Sequence, residues 1–383
     1  MSMELSALAH PSHGRILDII RAAGSISRVE IAQESGMTGA SVTNIVRLLL
    51  DLELVKEIGH AESTGGKRRT LLAIAPESRY AVGVHLQRSR TTYTVSDMAG
   101  RMVGRRASFV ASSSDPAALT QRIAGDVDDI LVDLGIRKDL VFGVGVAASR
   151  LLDDETRLSA DVQPALAGAI GLPVVVDREA IAAAVGEFWQ GSAAQPSSFA
   201  TIYMGDEFGA GVVNGGAVWR GAASSAGDVG HLSLEADGPL CDCGRRGCLQ
   251  ALASPATVVA AAEAAGLLAG VSGSAVDRFD VLARLAVRGE NRALELIAES
   301  ARHVARATVL VAGILDVEMF ILAGSAFAVP GAIYASRIRE ALDDYTRHLA
   351  LQPVIVELAH NPRDTAAVGA SALVLQQALA PRK

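Results

Sequence analysis

At Tyr80 the grain of the sequence changes. From there on, short β-rich apolar runs alternate with helical stretches. "YAVGVHLQRSRTTYTVSDMAGRMV" reads as two strands joined by a polar turn, with a further turn at Gly100, and "AALTQRIAGDVDDILVDLGI" as a helix that ends at Gly135. "LVFGVGVAA" and "LPVVVD" are buried strands, the second leading into the helix "REAIAAAVGEFW". "SFATIYMGDEFGAGVVNGGAVW" is a glycine-punctuated hairpin. After long helices, "DVEMFILAGSA" is a strand with a glycine turn, and "DTAAVGASALVLQQAL" is a closing helix. Alternation of this kind predicts an α/β body, and the two rounds of strands predict two related lobes.

The totals agree with that class. At 383 residues, 50% hydrophobic and 20% charged, the chain has room for two or three domains with real cores. Thirty-seven glycines and 4% aromatic residues suit a chain of many tight turns. The start "MSMELSALAHPSHGR" is mixed and polar, and no run reaches the ~18 apolar residues of a membrane span, so the expected compartment is the cytoplasm with no membrane partner. Three cysteines, an odd number, argue against a disulfide framework.

Three helical patterns precede residue 53. Gly14–Ala23 places Ile16, Leu17, Ile19 and Ile20 on one apolar face. "SRVEIAQESG" offers a capping box, Ser27 with Glu30, and Gly36 as a stop. In "MTGASVTNIVRLLLDLELV" Thr38 is the expected N-cap. Val42, Ile45, Val46 and Leu49 follow inward spacing, which leaves Ala40, Ser41, Thr43, Asn44 and Arg47 outward. That outer face is small, polar and singly cationic, which suits the wall of a DNA major groove. Strands at Leu54–Ile58 and Thr70–Ala75 flank "STGGKRR", whose Lys67, Arg68 and Arg69 offer three adjacent cations to phosphates. Helix, helix-turn-helix and basic-tipped hairpin make a winged helix. The net charge of −7 does not forbid DNA. Residues 1–79 hold nine basic and nine acidic side chains, so the remainder carries the whole excess, and contact with DNA is local to this segment.

The order of elements, the wing "GGKRR", the block "GDVGHL" and the cluster "CDCGRRGC" resemble the ROK family (repressors, open reading frames, kinases), over essentially the whole chain and in its regulator branch. The resemblance implies a winged helix at 1–78 followed by a two-lobed actin-like domain at 79–383, of the ribonuclease-H type shared with sugar kinases. The smaller lobe is expected at about 79–190 plus the C-terminal helix, and the larger at about 191–365. It also implies a sugar pocket between the lobes and a homodimer or homotetramer.

All three cysteines fall in that cluster. A reduced C-x-C-x4-C with a nearby histidine supplies the four donors of a closed tetrahedral zinc site, and Gly244 and Gly247 let the loop fold back. The cluster resembles the family signature CxCGxxGCxE, and His231 resembles the histidine of the ExGH motif, so the implied Zn2+ ligands are His231, Cys241, Cys243 and Cys248.

Kinases of the family carry three motifs from which this chain departs. Where a DxGGT-like phosphate loop is expected stands "HLQRS", His85 to Ser89, without aspartate or glycine. In the turn resembling GTGIGAG, Asp206 and Glu207 replace a threonine and a glycine. In the motif resembling ENDANAAA the chain reads "DREAIAAA", with Glu179 in place of the catalytic aspartate and Arg178 and Ile181 in place of the asparagines. Asp228 replaces the glutamate of ExGH, and Gln250 the glutamate that ends the cysteine signature. A Pro-Gly turn becomes "ASRLL", which brings in Arg150. The expected effector residues are therefore Arg150, Arg178, Glu179, Asp228, His231 and Gln250. The two arginines suggest a sugar phosphate or sugar acid, or else they pair with neighbouring carboxylates in a vestigial pocket.

The sequence thus predicts a DNA-binding transcriptional regulator, a repressor of carbohydrate-related genes under a sugar-type effector, without enzymatic activity. The alternative is an ATP-dependent sugar kinase with a DNA-binding appendage.

Overall fold

The computed structural model describes residues 10–60, 69–109, 116–149, 162–190, 196, 198–222 and 225–379. Lys67, Arg68 and Arg150 lie outside the described residues.

The chain opens with helix α1 (Pro11–Ala23), strand β1 (Ile26–Ser27), helices α2 (Arg28–Ser35) and α3 (Gly39–Asp51), and strands β2 (Val55–His60) and β3 (Thr70–Ile74). α1 starts earlier than the apolar periodicity suggested, because Pro11 needs no N–H partner in a first turn and His10 Nδ1 accepts from Ser12 N at 3.3 Å. The Ser27/Glu30 capping box closes α2 at its start, and Gly36, with φ +69°, ends it. Thr38 caps α3 by accepting from Ser41 N at 3.2 Å. Ile16, Leu17 and Ile20 from α1 and Val42, Ile45, Val46 and Leu49 from α3 are buried in one core. Each such side chain contributes roughly 1.5–3 kcal/mol by burial. β1 had no sequence signal. Two residues are too few for periodicity, and only their pairing with β3 (Ile26 opposite Leu72) makes them a strand in the order β1-β3-β2.

The body has two sheets of one design. β4 (Tyr80–Leu86), β5 (Arg90–Asp97) and β6 (Met102–Phe109) form an antiparallel meander, followed by α4 (Pro116–Asp133), β7 (Val141–Ala148), α5 (Val162–Ile170), β8 (Val174–Arg178) and α6 (Glu179–Gln190). The order is β6-β5-β4-β7-β8, with β4, β7 and β8 parallel. β9 (Ser198–Met204), β10 (Phe208–Asn214) and β11 (Ala217–Trp219) repeat the meander. They precede α7 (Leu249–Ala253), α8 (Pro255–Ala264), α9 (Ala275–Val287), α10 (Asn291–Leu315), β12 (Met319–Ala323), α11 (Gly331–Leu349), β13 (Ile355–Leu358) and α12 (Thr365–Leu379). The second order, β11-β10-β9-β12-β13, again joins three antiparallel strands to two parallel ones. Shared order and pairing sense mark two related lobes. β13 and α5 carry little sequence signal because the first is short and exposed at three of its four residues and the second has few polar positions to set a period.

α6 and α12 pack on each other between the sheets, α12 against β4, β5 and β7, and α6 against β9 and β10. Their approach is close enough that a Cβ on Gly369 would overlap the Ala182 carbonyl. The residues of this helix pair share one apolar cluster with the N-terminal core, so the winged helix is packed onto the body.

Candidate functional site

The N-terminal segment presents a two-faced α3. Its apolar face is buried, while Thr38, Ala40, Thr43, Asn44 and Arg47 are exposed and Ser41 is half-buried. All three hydroxyls have local duties: Thr38 Oγ1 shares a 2.9 Å hydrogen bond with Ser41 Oγ, and Thr43 Oγ1 donates to Gly39 O at 2.7 Å. Arg69, exposed beside β3, is the described part of the basic wing. Every described residue assigned to DNA from the sequence is therefore on the outside of the head.

Between the lobes lies a cavity of about 430 Å3. Its lining includes Arg178, Glu179, Asp228, His231 and Gln250, so all the described residues assigned to an effector converge on one cleft. Each arrives by a different route. β8 ends at Arg178 and α6 begins at Glu179, which puts a carboxylate on the first turn of a helix, where the dipole favours it. Asp228 precedes the short 3-10 turn Val229–His231, and Gln250 sits in the first turn of α7 just after Cys248.

Not all of these side chains face a ligand with free donors. Gln250 Oε1 accepts from Phe208 N and its Nε2 donates to Asp206 O, both at 3.0 Å, so the amide braces the β9–β10 turn. Arg178 Nη2 donates to Ala226 O at 2.7 Å. The neighbouring Asp177 carboxylate pairs with Arg220 at 2.5 Å and accepts from Arg178 N at 2.8 Å.

The floor of the cleft holds a contact that sequence reading did not foresee. His85, near the end of β4, meets Glu179, the first residue of α6, in a short hydrogen bond from Nε2 to Oε1. His85 is 1% and Glu179 6% exposed, and Tyr203 Oη lies 3.4 Å from the same imidazole nitrogen. Among the described residues His85 Nδ1 has no partner. The strand then turns at once, with Gln87 N donating to Arg90 O at 2.9 Å, so a tight hairpin joins β4 to β5. Sequence reading also missed Tyr203 and Arg245 as cleft residues, and it named Glu207 only for the glycine turn, not for the effector. Arg245 had a signal, since it lies inside the cysteine cluster. Tyr203 had none.

Charge in the cleft is mostly negative. Burial pushes the Glu207 carboxyl up to about 7, with Glu179, Asp228 and Asp206 adding repulsion and Arg88 opposing it. Burial, then Glu179, also raises Asp206. The folded chain therefore holds the Glu207 proton more tightly than the unfolded chain. The stability this gives is complete below about pH 4.5 and is lost as pH rises through about 7. A shift of that size corresponds to at most about 3 kcal/mol, and screening at this partly open carboxylate reduces it to about 1 kcal/mol. Glu207→Gln is thus expected to raise the melting temperature by roughly 1–3 °C at pH 8 and not at pH 4.5. Equal shifts at both pH values, or none, in a calorimetric scan would show that Glu207 is not under this repulsion.

Adjoining the cleft, His231, Cys241, Cys243 and Cys248 form a four-donor cluster whose ligand atoms all lie within 4.8 Å of one another. Cys243 Sγ is 3.6 Å from Cys248 Sγ, and Cys241 Sγ is 3.5 Å from His231 Nδ1. Tetrahedral zinc with bonds of about 2.3 Å to sulfur and 2.0 Å to nitrogen would require about 3.8 Å and 3.5 Å, so the donor set fits. The loop closes on itself through Cys241 N to Arg245 O at 2.8 Å and Gly244 N to Cys241 O at 2.8 Å. Gly247 has φ +64°, and a Cβ there would collide with the Glu235 carbonyl, so this position admits only glycine. The Arg245 backbone N–H holds the exposed Cys243 thiol down to about 6, whereas burial pushes Cys248 up to about 12. His231 and Cys243 also line the cavity, so cluster and cleft share walls.

The comparisons with known proteins match this anatomy. A family model described as ROK family matches residues 154–377, and one described as winged helix-turn-helix DNA-binding matches residues 10–56. The chain belongs to the ROK family, with a winged helix-turn-helix at its N-terminal end.

Among curated relatives, the xylose repressor of Bacillus subtilis (strain 168) is 24% identical over 238 residues, which is 60% of this chain and 62% of that protein. The chain thus spans about six tenths of the length of the first curated relatives it matches. The crystal structure of a ROK family transcriptional regulator, a homologue of the E. coli MLC protein, shares the fold with a TM-score of 0.73 at 22% identity, covering 97% of both chains. The ROK hexokinase from Thermus thermophilus aligns with a TM-score of 0.61 at 25% identity, covering 77% of this chain and 98% of its own. The actin-like, sugar-kinase-type body expected from the sequence is the fold these structures share.

Proposed function

We propose that this chain is a DNA-binding transcriptional regulator, a repressor of carbohydrate-related genes whose affinity for DNA is set by a sugar or sugar derivative in the cleft. The observation that carries the reading is α3, the second helix of a helix-turn-helix, with one face locked into a core and a polar, singly cationic face left to solvent. Thr38, Ala40, Ser41, Thr43, Asn44 and Arg47 would read base edges, and Lys67, Arg68 and Arg69 would hold the phosphate backbone. The relative named as a xylose repressor supports a sugar-type effector. A homodimer or homotetramer would set two heads on two half-sites, in the cytoplasm where the DNA is.

The effector reading is refined by the cleft itself. Glu179, Glu207 and Asp228 outnumber Arg178 and Arg245 among its described charges, and Arg178 already serves the Ala226 carbonyl. That balance favours a neutral polyhydroxyl ligand over a sugar phosphate or sugar acid.

The chain is read as having no kinase activity. His85 and Glu179 satisfy each other where one group should serve a metal–phosphate complex and the other a sugar hydroxyl. Asp206 and Glu207 add repulsion toward a polyphosphate. A coupled ADP-release assay with glucose, xylose and N-acetylglucosamine tests this. Background rates are expected, and turnover of about 1–100 s−1, the usual kinase range, would restore the sugar-kinase alternative.

The four-donor cluster is read as a structural Zn2+ site of His231, Cys241, Cys243 and Cys248. With four protein donors there is no open position for chemistry, so the ion would act as a crosslink between the 229–231 turn and the 241–248 loop. The residues so fixed position one wall of the cleft.

A further inference from the structure

A second cavity, of about 680 Å3, lies where the winged helix meets the body. Ile20, Arg21 and Lys56 line it from the head side, and Arg101, Met102 and Trp189 from the body. Arg21 is the unusual group. Its side chain is 8% exposed, yet its carboxylate partner among the described residues, Asp18, stands 3.8 Å away. The guanidinium lies 4.7 Å from the centre of the Trp189 ring and donates through Nη1 to Trp189 O at 2.5 Å. Burial accordingly lowers its pKa.

Two buried donors of this pair, Arg21 Nε and Trp189 Nε1, have no hydrogen-bond partner among the described residues. A buried donor left unpaired is costly, and both belong to residues that line the same cavity. What the two donors lack is an acceptor. Asp18, half-exposed at 3.8 Å, answers the charge of the buried guanidinium only from one side, and Lys56 adds a second cation at the rim, whereas Arg101 is held by Asp97 at 3.2 Å. Ile20, Ile74, Met102 and Val368 give the lining an apolar stretch, and Gln190, His360 and Asn361 add neutral polar groups.

We propose that this junction cavity binds a small organic anion, a carboxylate on an apolar body, as a second ligand distinct from the one in the cleft. Because head and body both line the site, its occupant sets how firmly the head is seated. That consequence for DNA rests on the regulator reading, whereas occupancy of the cavity does not.

Trp189 reports occupancy directly. The chain has two tryptophans, and Trp219→Phe, at an exposed position on β11, leaves Trp189 as the sole emitter. In that background the full chain is titrated with benzoate, with its neutral analogue benzamide, and with inorganic phosphate. Benzoate is expected to change Trp189 emission saturably, with half-saturation at about millimolar concentration or below, and benzamide to be at least about 10-fold weaker. Phosphate is expected to do nothing, because it cannot fill the apolar part. Arg21→Met and, independently, the surface change Lys56→Glu should each weaken benzoate about 5-fold or more. Glu179→Gln, in the cleft, should leave the titration unchanged. Absence of a saturable change, equal response to benzamide, saturation by phosphate at the same concentration, or loss of the response in Glu179→Gln would each overturn the proposal. None of these results bears on whether the chain binds an operator, so failure here and failure of the regulator reading are separable.

Discussion

Cys248→Ser is expected to empty the metal site and to lower the melting temperature by roughly 5–10 °C. Cys248 is fully buried, and its sulfur sits 3.6 Å from Cys243 Sγ and 3.8 Å from the His231 carbonyl, at the point where the 241–248 loop meets the 229–231 turn. Zinc bound by four such donors contributes on the order of 10 kcal/mol in small zinc domains. In a chain with two large cores only part of that is lost globally, about a few kcal/mol, which sets the size of the thermal shift. Elemental analysis should fall from about one zinc per chain to near zero. The exposed Cys243→Ser should lose the ion as well. Retention of both metal and melting temperature in Cys248→Ser would mean that the four side chains are an inert thiol cluster. Because His231 and Cys243 also wall the cleft, ligand binding should fail together with the metal.

Arg47→Glu is expected to reduce affinity for the operator by about 100-fold or more while leaving the fold intact. Arg47 is exposed on the outer face of α3, with the buried Val46 and Leu49 beside it holding the helix, so the substitution costs little stability. Against DNA it replaces an attraction by a like-charge contact, which is worth several kcal/mol. The pattern across variants matters more than any one value. Asn44→Ala should cost about 1–3 kcal/mol on the operator and almost nothing on unrelated DNA, as expected for a base contact. Arg69→Ala should weaken all sequences alike and reduce the salt slope by about 1, as expected for a phosphate contact. Filter-binding titrations across a salt series separate the two patterns. If Asn44→Ala weakened specific and unrelated DNA equally, α3 would not be in the groove.

How far the sequence carries depends on the scale of the signal. α3 was legible down to its cap, because Thr38, the Val42/Ile45/Val46/Leu49 spacing and the polar remainder all act within a few residues. The alternation after Tyr80 gave the class of the body, and the cysteine spacing together with the family resemblance, which implied His231, gave the four donors that the structure gathers. What escaped was anything created by elements meeting from afar. His85 and Glu179 were each read as a departure from a kinase motif, but their mutual contact joins residues 94 positions apart. Gln250 was assigned to a ligand by its motif position, while the β9–β10 turn that occupies its amide is 42 residues away. The expectation of an anionic effector rested on Arg150 and Arg178. The carboxylates of Glu207 and Asp228, brought in by other loops, shift that balance. Arg21 carried no sequence signal, since nothing local to α1 shows that a tryptophan of α6 covers it.

The most direct test of the central claim is a genomic pull-down. Purified full-length chain, loaded with zinc, is mixed with sheared DNA from its own source at moderate salt, and the retained fragments are sequenced. The account predicts enrichment of one or a few sites with inverted-repeat symmetry, beside genes of carbohydrate metabolism, and loss of that enrichment in Arg47→Glu. Uniform recovery that falls with salt and shows no site would contradict it.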